Sequence, residues 1–161
     1  MKLVINWFIT EWFNLRFGKG TSQDSPSSRG MAEMEIYQID EKGLLFISPD
    51  IDDWDPIVKK DIHIIFDLDE DLDIGVPAIP DQLLYVYFPF EDKGLPDLAK
   101  LHENAKLGAS LITQGYRVLC HCGMGHNRSA LLAGLILTYL GMSGEEALTL
   151  IRKQRSSGHA L

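Results

Sequence analysis

From Met31 onward, short apolar runs alternate with longer segments whose apolar residues recur at helical spacing. Glu35–Ile39 and Leu44–Ser48 flank the polar stretch Asp40-Glu41-Lys42-Gly43, which predicts a β-hairpin. Ile62–Phe66, Leu83–Phe88 and Tyr116–His121 are brief β-rich runs of the kind buried in a parallel sheet. Pro96 opens a segment in which Leu98, Leu101, Ala105 and Ile112 share one helical face, with Gly115 as its stop. Ser129–Leu140 predicts an apolar helix ended by Gly141, and Ser143 or Gly144 caps a further helix running to Arg155. Strands separated by helices predict a single α/β domain: about five strands, mostly parallel, with helices on both faces.

Residues 1–30 break this pattern. Residues 3–17 are rich in aromatics and 21–30 in Ser, Gly and Pro, so this stretch reads as a leader followed by a flexible linker. Asn6, Thr10, Glu11 and Asn14 interrupt its apolar part and no small-residue cleavage site follows, which argues against a secretory signal. Contact of residues 3–17 with a membrane surface is disfavoured because Leu3, Phe13 and Phe17 spoil the amphipathic face. Packing on the domain or a partner is preferred, as is a true start at Met31, with residues 31–161 forming the domain.

The 161 residues suffice for a core without disulfides or a structural metal. A net charge of −8 argues against nucleic acid as a partner, because such binding depends on neutralising phosphates with Lys and Arg. Cys120 and Cys122 are the only cysteines, a count that suits a reduced, cytoplasmic protein.

Chemistry concentrates in Val118-Leu-Cys-His-Cys-Gly-Met-Gly-His-Asn-Arg-Ser129. An apolar strand ends at His121, a loop with two glycines follows Cys122, and Arg128-Ser129 opens an apolar helix. Backbone N–H groups of Gly123, Met124, Gly125, His126 and Asn127 can converge on one anion, and the helix N-terminus adds partial positive charge. The same field stabilises a thiolate on Cys122, and Arg128 has the planar fork that grips two phosphoryl oxygens at once.

His-Cys-x5-Arg-Ser between a strand and a helix resembles the signature of the cysteine-dependent protein tyrosine phosphatases, and most closely their small, atypical dual-specificity branch. Tyr85-Val-Tyr-Phe-Pro-Phe-Glu-Asp92 resembles that family's strand leading into its general-acid loop. Ser143-Gly-Glu-Glu-Ala-Leu and Ile151-Arg-Lys-Gln-Arg155 resemble the helix after the phosphate-loop helix. The resemblance implies Cys122 as nucleophile, Arg128 as phosphoryl clamp, Asp92 as general acid and then base, and Ser129 as donor to the departing sulfur. It places His121 behind the loop and implies neither metal nor cofactor. The substrate it implies is a phosphorylated protein or small aryl phosphate: phosphotyrosine, with phosphoserine and phosphothreonine as further candidates. The family also has a helix beyond the stretch matching His159-Ala-Leu161, which this sequence is expected to lack.

Several rival readings use the same residues. Cys120, His121, Cys122 and His126 cannot converge on one ion, because adjacent strand residues face opposite ways. Glu91 and Asp97 compete with Asp92 as the acid, but Asp97 beside Pro96 suits a first-turn helix carboxylate. The ten carboxylates between Asp50 and Asp73 read as a solvated loop; Leu72 and Ala78 stand where a calcium loop needs Gly and Glu. Ile64-Ile-Phe-Asp67-Leu-Asp69 resembles the first motif of magnesium-dependent haloacid-dehalogenase-type phosphatases, yet Glu70-Asp71 replace the usual Gly-Thr. A non-catalytic phospho-binding module and a rhodanese-like protein complete the alternatives.

Overall fold

Asp40 fixes the first turn of the chain. Its Oδ1 accepts from the backbone N–H of Leu44 (2.8 Å) and Leu45 (2.7 Å), while Gly43 takes the positive φ of 67° that the turn requires. The predicted hairpin follows, with β1 (Tyr37–Gln38) antiparallel to β2 (Leu45–Ser48). The structure, a computed structural model, describes residues 34–124 and 126–156, with Glu11 besides. The expectations for Gly125, for residues 159–161 and, Glu11 apart, for the leader therefore lie outside the described residues.

Three further strands complete the sheet: β3 (Ile64–Asp67), β4 (Leu84–Tyr87) and β5 (Val118–His121). Their order is β1-β2-β5-β3-β4, and every pairing except the hairpin is parallel. Four helices are described: α1 (Asp55–Lys59), α2 (Leu98–Thr113), α3 (Arg128–Tyr139) and α4 (Gly144–Ser156). The α/β class, the mostly parallel five-stranded sheet and the three long helices agree with the sequence expectation.

Both faces of the sheet are covered. On one, Ile57 of α1 packs with Ile36, Phe46, Ile65 and Leu119. On the other, α2, α3 and α4 bury Leu45, Phe66, Cys120, Leu132 and Ile136. α3 is buried on nearly every side, as its continuous apolar sequence requires. α2 approaches it closely through Gly108, where a Cβ would meet Ile136 Cδ1 at 2.6 Å.

The ends of the helices explain their positions. Asp97 caps α2, its side chain accepting from Lys100 N at 3.1 Å. Ser143 caps α4 in a reciprocal box: Glu146 N donates to Ser143 Oγ (3.2 Å), and Ser143 N donates to Glu146 Oε2 (2.8 Å). These bonds hold the Glu146 carboxyl below its usual range.

Two expectations need correction. β4 is a half-exposed edge strand rather than a buried one, because nothing pairs with its outer side among the described residues. The acidic stretch is not simply a solvated loop: it contains α1, and Asp67 is fully buried. Cys120 and Cys122 are both buried, and neither forms a disulfide.

Candidate active site

The strands β2, β5 and β3 end level with one another, Ser48 and Asp67 flanking His121 in register. The chain leaves β5 at this carboxyl edge, where open parallel sheets place their ligands, and turns through residues 122–127 into α3. Asn127 at the head of α3 makes no side-chain cap. The first backbone N–H groups of a helix are the kind of donor that binds anions, and those of α3 follow the loop after Cys122 in sequence. Cys122 Sγ, 2% exposed, lies at the floor, 3.5 Å from Ser129 Oγ. When the sulfur is a thiolate, the serine hydroxyl is the donor across this contact.

Arg128 is the only buried arginine among the described residues. Its Nη1 donates to the carbonyls of Leu68 and Phe90, each at 3.1 Å, and Nη2 to Asp69 Oδ1 at 2.7 Å. Three of five N–H donors are engaged, and the plane of the guanidinium is fixed. Nε is buried without a hydrogen-bond partner. A donor in that condition is costly unless a ligand satisfies it. Together with the second hydrogen of Nη2, it gives the guanidinium donors for an oxyanion.

Asp92 stands at the mouth. Its Oδ1 accepts from Asn127 Nδ2 at 3.5 Å and lies 3.8 Å from Arg128 Nε, with the side chain 45% exposed. Of its rivals, Asp97 is occupied as the cap of α2, and Glu91 is exposed. The geometry therefore brings Cys122, Arg128, Ser129 and Asp92 together. Met124 and His126 are exposed on the loop between them.

Sequence reasoning missed two braces. Asp69 pairs with Arg128 across 59 positions and crowds the loop, since a Cβ on Gly123 would sit 3.2 Å from Asp69 Oδ1. Burial first, and then the charge of Asp69, raise the Asp50 carboxyl above its ordinary range. From α4, Arg155 Nη1 donates to the His126 carbonyl at 3.0 Å; burial lowers its basicity. The motif is local in sequence, whereas its braces come from a neighbouring loop and the last described helix.

His121 points to the opposite face of the sheet from Cys120 and is fully buried. Its Nε2 lies 2.8 Å from Asp73 Oδ2 and 3.6 Å from Asp67 Oδ1. The Tyr85 hydroxyl donates to Asp67 Oδ2, and Asp73 Oδ2 lies 3.0 Å from the same oxygen. Burial pushes the Asp67 carboxyl up. Burial and the two carboxylates push the Tyr85 phenol far above its usual value, so it remains a donor. Asp67 is fully buried, which speaks against it as the exposed nucleophile of the haloacid-dehalogenase reading.

No protein-family model matches the sequence, and no curated protein matches it. Solved structures do. Tk-PTP in its active form superposes with a TM-score of 0.60 at 26% identity, covering 75% of this chain and 84% of that one. Human DUSP28 gives 0.65 at 17% identity, over 83% and 86% of the two chains. The chain has the fold of the small dual-specificity phosphatases. PTPMT1 in complex with PI(5)P also matches, at a TM-score of 0.62 and 20% identity over 75% and 83%. No helix among the described residues is long and apolar enough to cross a membrane.

This phosphatase fold distinguishes its two cysteines. Cys120 faces the core, where burial drives its thiol strongly upward and out of reach of ionisation. Cys122 lies under the anion loop. Iodoacetamide at neutral pH is expected to modify Cys122 alone, and inorganic phosphate to slow that reaction, as read by peptide mass spectrometry. Labelling of Cys120 in the folded protein would contradict this assignment.

Proposed function

We propose that the chain hydrolyses phosphomonoesters, phosphotyrosine foremost with phosphoserine and phosphothreonine as further substrates, through a cysteinyl-phosphate on Cys122. What supports this reading is that Cys122 Sγ lies 3.5 Å from Ser129 Oγ at the start of α3, while Asp92 Oδ1 lies 3.8 Å from Nε of the neighbouring Arg128.

In the first step the Cys122 thiolate attacks phosphorus, forming the S–P bond as the P–O bond to the leaving group breaks. Asp92 gives its proton to the departing oxygen. The Arg128 guanidinium and the backbone N–H groups of the loop, with those of Gly123, Met124, Gly125, His126 and Asn127 as candidates, neutralise the phosphoryl oxygens where their charge is greatest. In the second step the Asp92 carboxylate takes a proton from water as that water attacks phosphorus. The S–P bond breaks, and the Ser129 hydroxyl donates to the departing thiolate. Asp69 and Arg155 are positioning residues: one holds the guanidinium, the other the loop.

Residues 123–127 contain neither Lys nor Arg, and Asp69 adds negative charge beside them. A multiply phosphorylated inositol headgroup finds no extra cation on this loop. A protein phosphate or a small aryl phosphate, carrying a single dianion, is the better match.

The test is hydrolysis of para-nitrophenyl phosphate in EDTA. Turnover is expected to persist in the chelator and to exceed that on a phosphoinositide. Activity that needs added magnesium would support the haloacid-dehalogenase alternative. Phosphate binding without turnover would indicate a non-catalytic phospho-binding module.

A further inference from the structure

The buried group behind the active site has no role in the steps above. Asp67, Asp73 and His121 come from the end of β3, the loop after it and the end of β5. Their ligand-type atoms all lie within 4.8 Å of one another. The Tyr85 hydroxyl lies within hydrogen-bond reach of both carboxylates, which places their oxygens close together. The ion-pair partner of each carboxylate among the described residues is His121.

His121 is fully buried, yet neither ring nitrogen has a hydrogen-bond partner. Its Nε2 approaches Asp73 Oδ2 to 2.8 Å without hydrogen-bond alignment. An imidazole packed this closely against two carboxylates, but not directed at either as a donor, has the disposition of a ligand set around a common centre. Oxygen and nitrogen donors about 2.0–2.2 Å from a tetrahedral zinc lie roughly 3.4 Å apart. That spacing falls between the 2.8 and 3.6 Å separations of His121 Nε2 from its two neighbours.

We propose that Asp67, Asp73 and His121 form a binding site for one divalent transition-metal ion, with zinc the best match. Two carboxylates and a neutral imidazole carry two negative charges that such an ion balances. The imidazole favours zinc over magnesium or calcium, which prefer oxygen ligands alone. Asp73, with 8% of its side chain exposed, is the one of the three that reaches solvent. Its loop also carries Asp69, so an occupied site fixes the segment that braces Arg128. The ion takes no part in phosphoryl transfer, and the site stands whether or not the phosphatase reading does.

The experiment uses the full chain in a Cys122→Ser background, which removes the active-site thiol as a competing ligand. After stripping with EDTA and dialysis, Zn²⁺ is titrated against a fluorescent chelator and Co²⁺ is followed by absorption. One equivalent of Zn²⁺ is expected to bind, and Asp73→Asn, which removes a ligand, is expected to lower the affinity by at least the about 10–100-fold that loss of an outer-shell partner costs. Because that change could disturb folding, checked by circular dichroism, Asp73→Cys provides a second reading. A ligand at position 73 predicts a thiolate-to-cobalt charge-transfer band in Asp73→Cys that is absent from its parent. Failure of the parent to bind Zn²⁺ or Co²⁺ would overturn the proposal. So would binding unaffected by Asp73→Asn, or cobalt bound to Asp73→Cys without the new band.

Discussion

The Cys122→Ser variant is expected to bind phosphate and turn nothing over. Its hydroxyl is close in size to the thiol, so the loop, Arg128 and the head of α3 keep their places. An unactivated hydroxyl in that position is a poor nucleophile, and no other group in the site can form the covalent intermediate. The loss should be several orders of magnitude, comparable to the ~10⁶ that follows removal of a covalent nucleophile elsewhere. Steady-state release of para-nitrophenol measures the loss, and isothermal titration with inorganic phosphate or vanadate checks the site. Arg128→Lys is the informative companion. Lysine lacks the planar fork, leaves the carbonyls of Leu68 and Phe90 and the Asp69 carboxylate with fewer donors, and so loses phosphate binding as well. A serine variant that still turns over would remove Cys122 from the mechanism.

The second large effect belongs to Asp92 and depends on the leaving group. Protonation of the departing oxygen matters most when that oxygen belongs to a weakly acidic alcohol or phenol. Asp92→Asn is therefore expected to slow phosphotyrosine hydrolysis by ~10²–10⁴, while phosphorylation of Cys122 by an aryl phosphate with a strongly acidic phenol changes much less. Asp97→Asn keeps a good cap on α2, because Asn serves as well as Asp at that position, and leaves phosphotyrosine hydrolysis unchanged. A leaving-group-dependent loss in Asp97→Asn instead would move the acid to Asp97, although the structure already uses that side chain at the helix end.

What could be read from the sequence was what short stretches decide. The hairpin follows from Asp40 to Gly43, and the long helices from their apolar spacing and from Asp97, Ser143, Gly115 and Gly141 at their ends. Cys122 and Arg128 stand six positions apart between a strand and a helix, so they are legible together as candidates. Asp92 is singled out by its nearness to the end of the Leu83–Phe88 run, and the structure sets it beside Asn127 and Arg128. The rest depends on strand order. Asp67 meets His121 because β3 lies beside β5, and no local pattern states that register. Asp69 reaches Arg128, and Arg155 reaches His126, only once the sheet and α4 are in place. The helix α1 was hidden because five residues with one buried apolar side chain, Ile57, leave no periodicity to detect among ten carboxylates. Charge alone suggested solvent there, but Asp67 and Asp73 show that some carboxylates turn inward to a polar partner.

The covalent intermediate is the most direct test of the account. Asp92→Asn should form it readily from an aryl phosphate with an acidic phenol and hydrolyse it slowly, because the carboxylate that activates water is gone. Acid quenching of that reaction followed by peptide mass spectrometry is predicted to find one phosphoryl group on the peptide that contains Cys122, and none when Cys122→Ser is added. Turnover with no phosphoryl group on Cys122, or a phosphoryl group on the peptide containing Asp67, would contradict it.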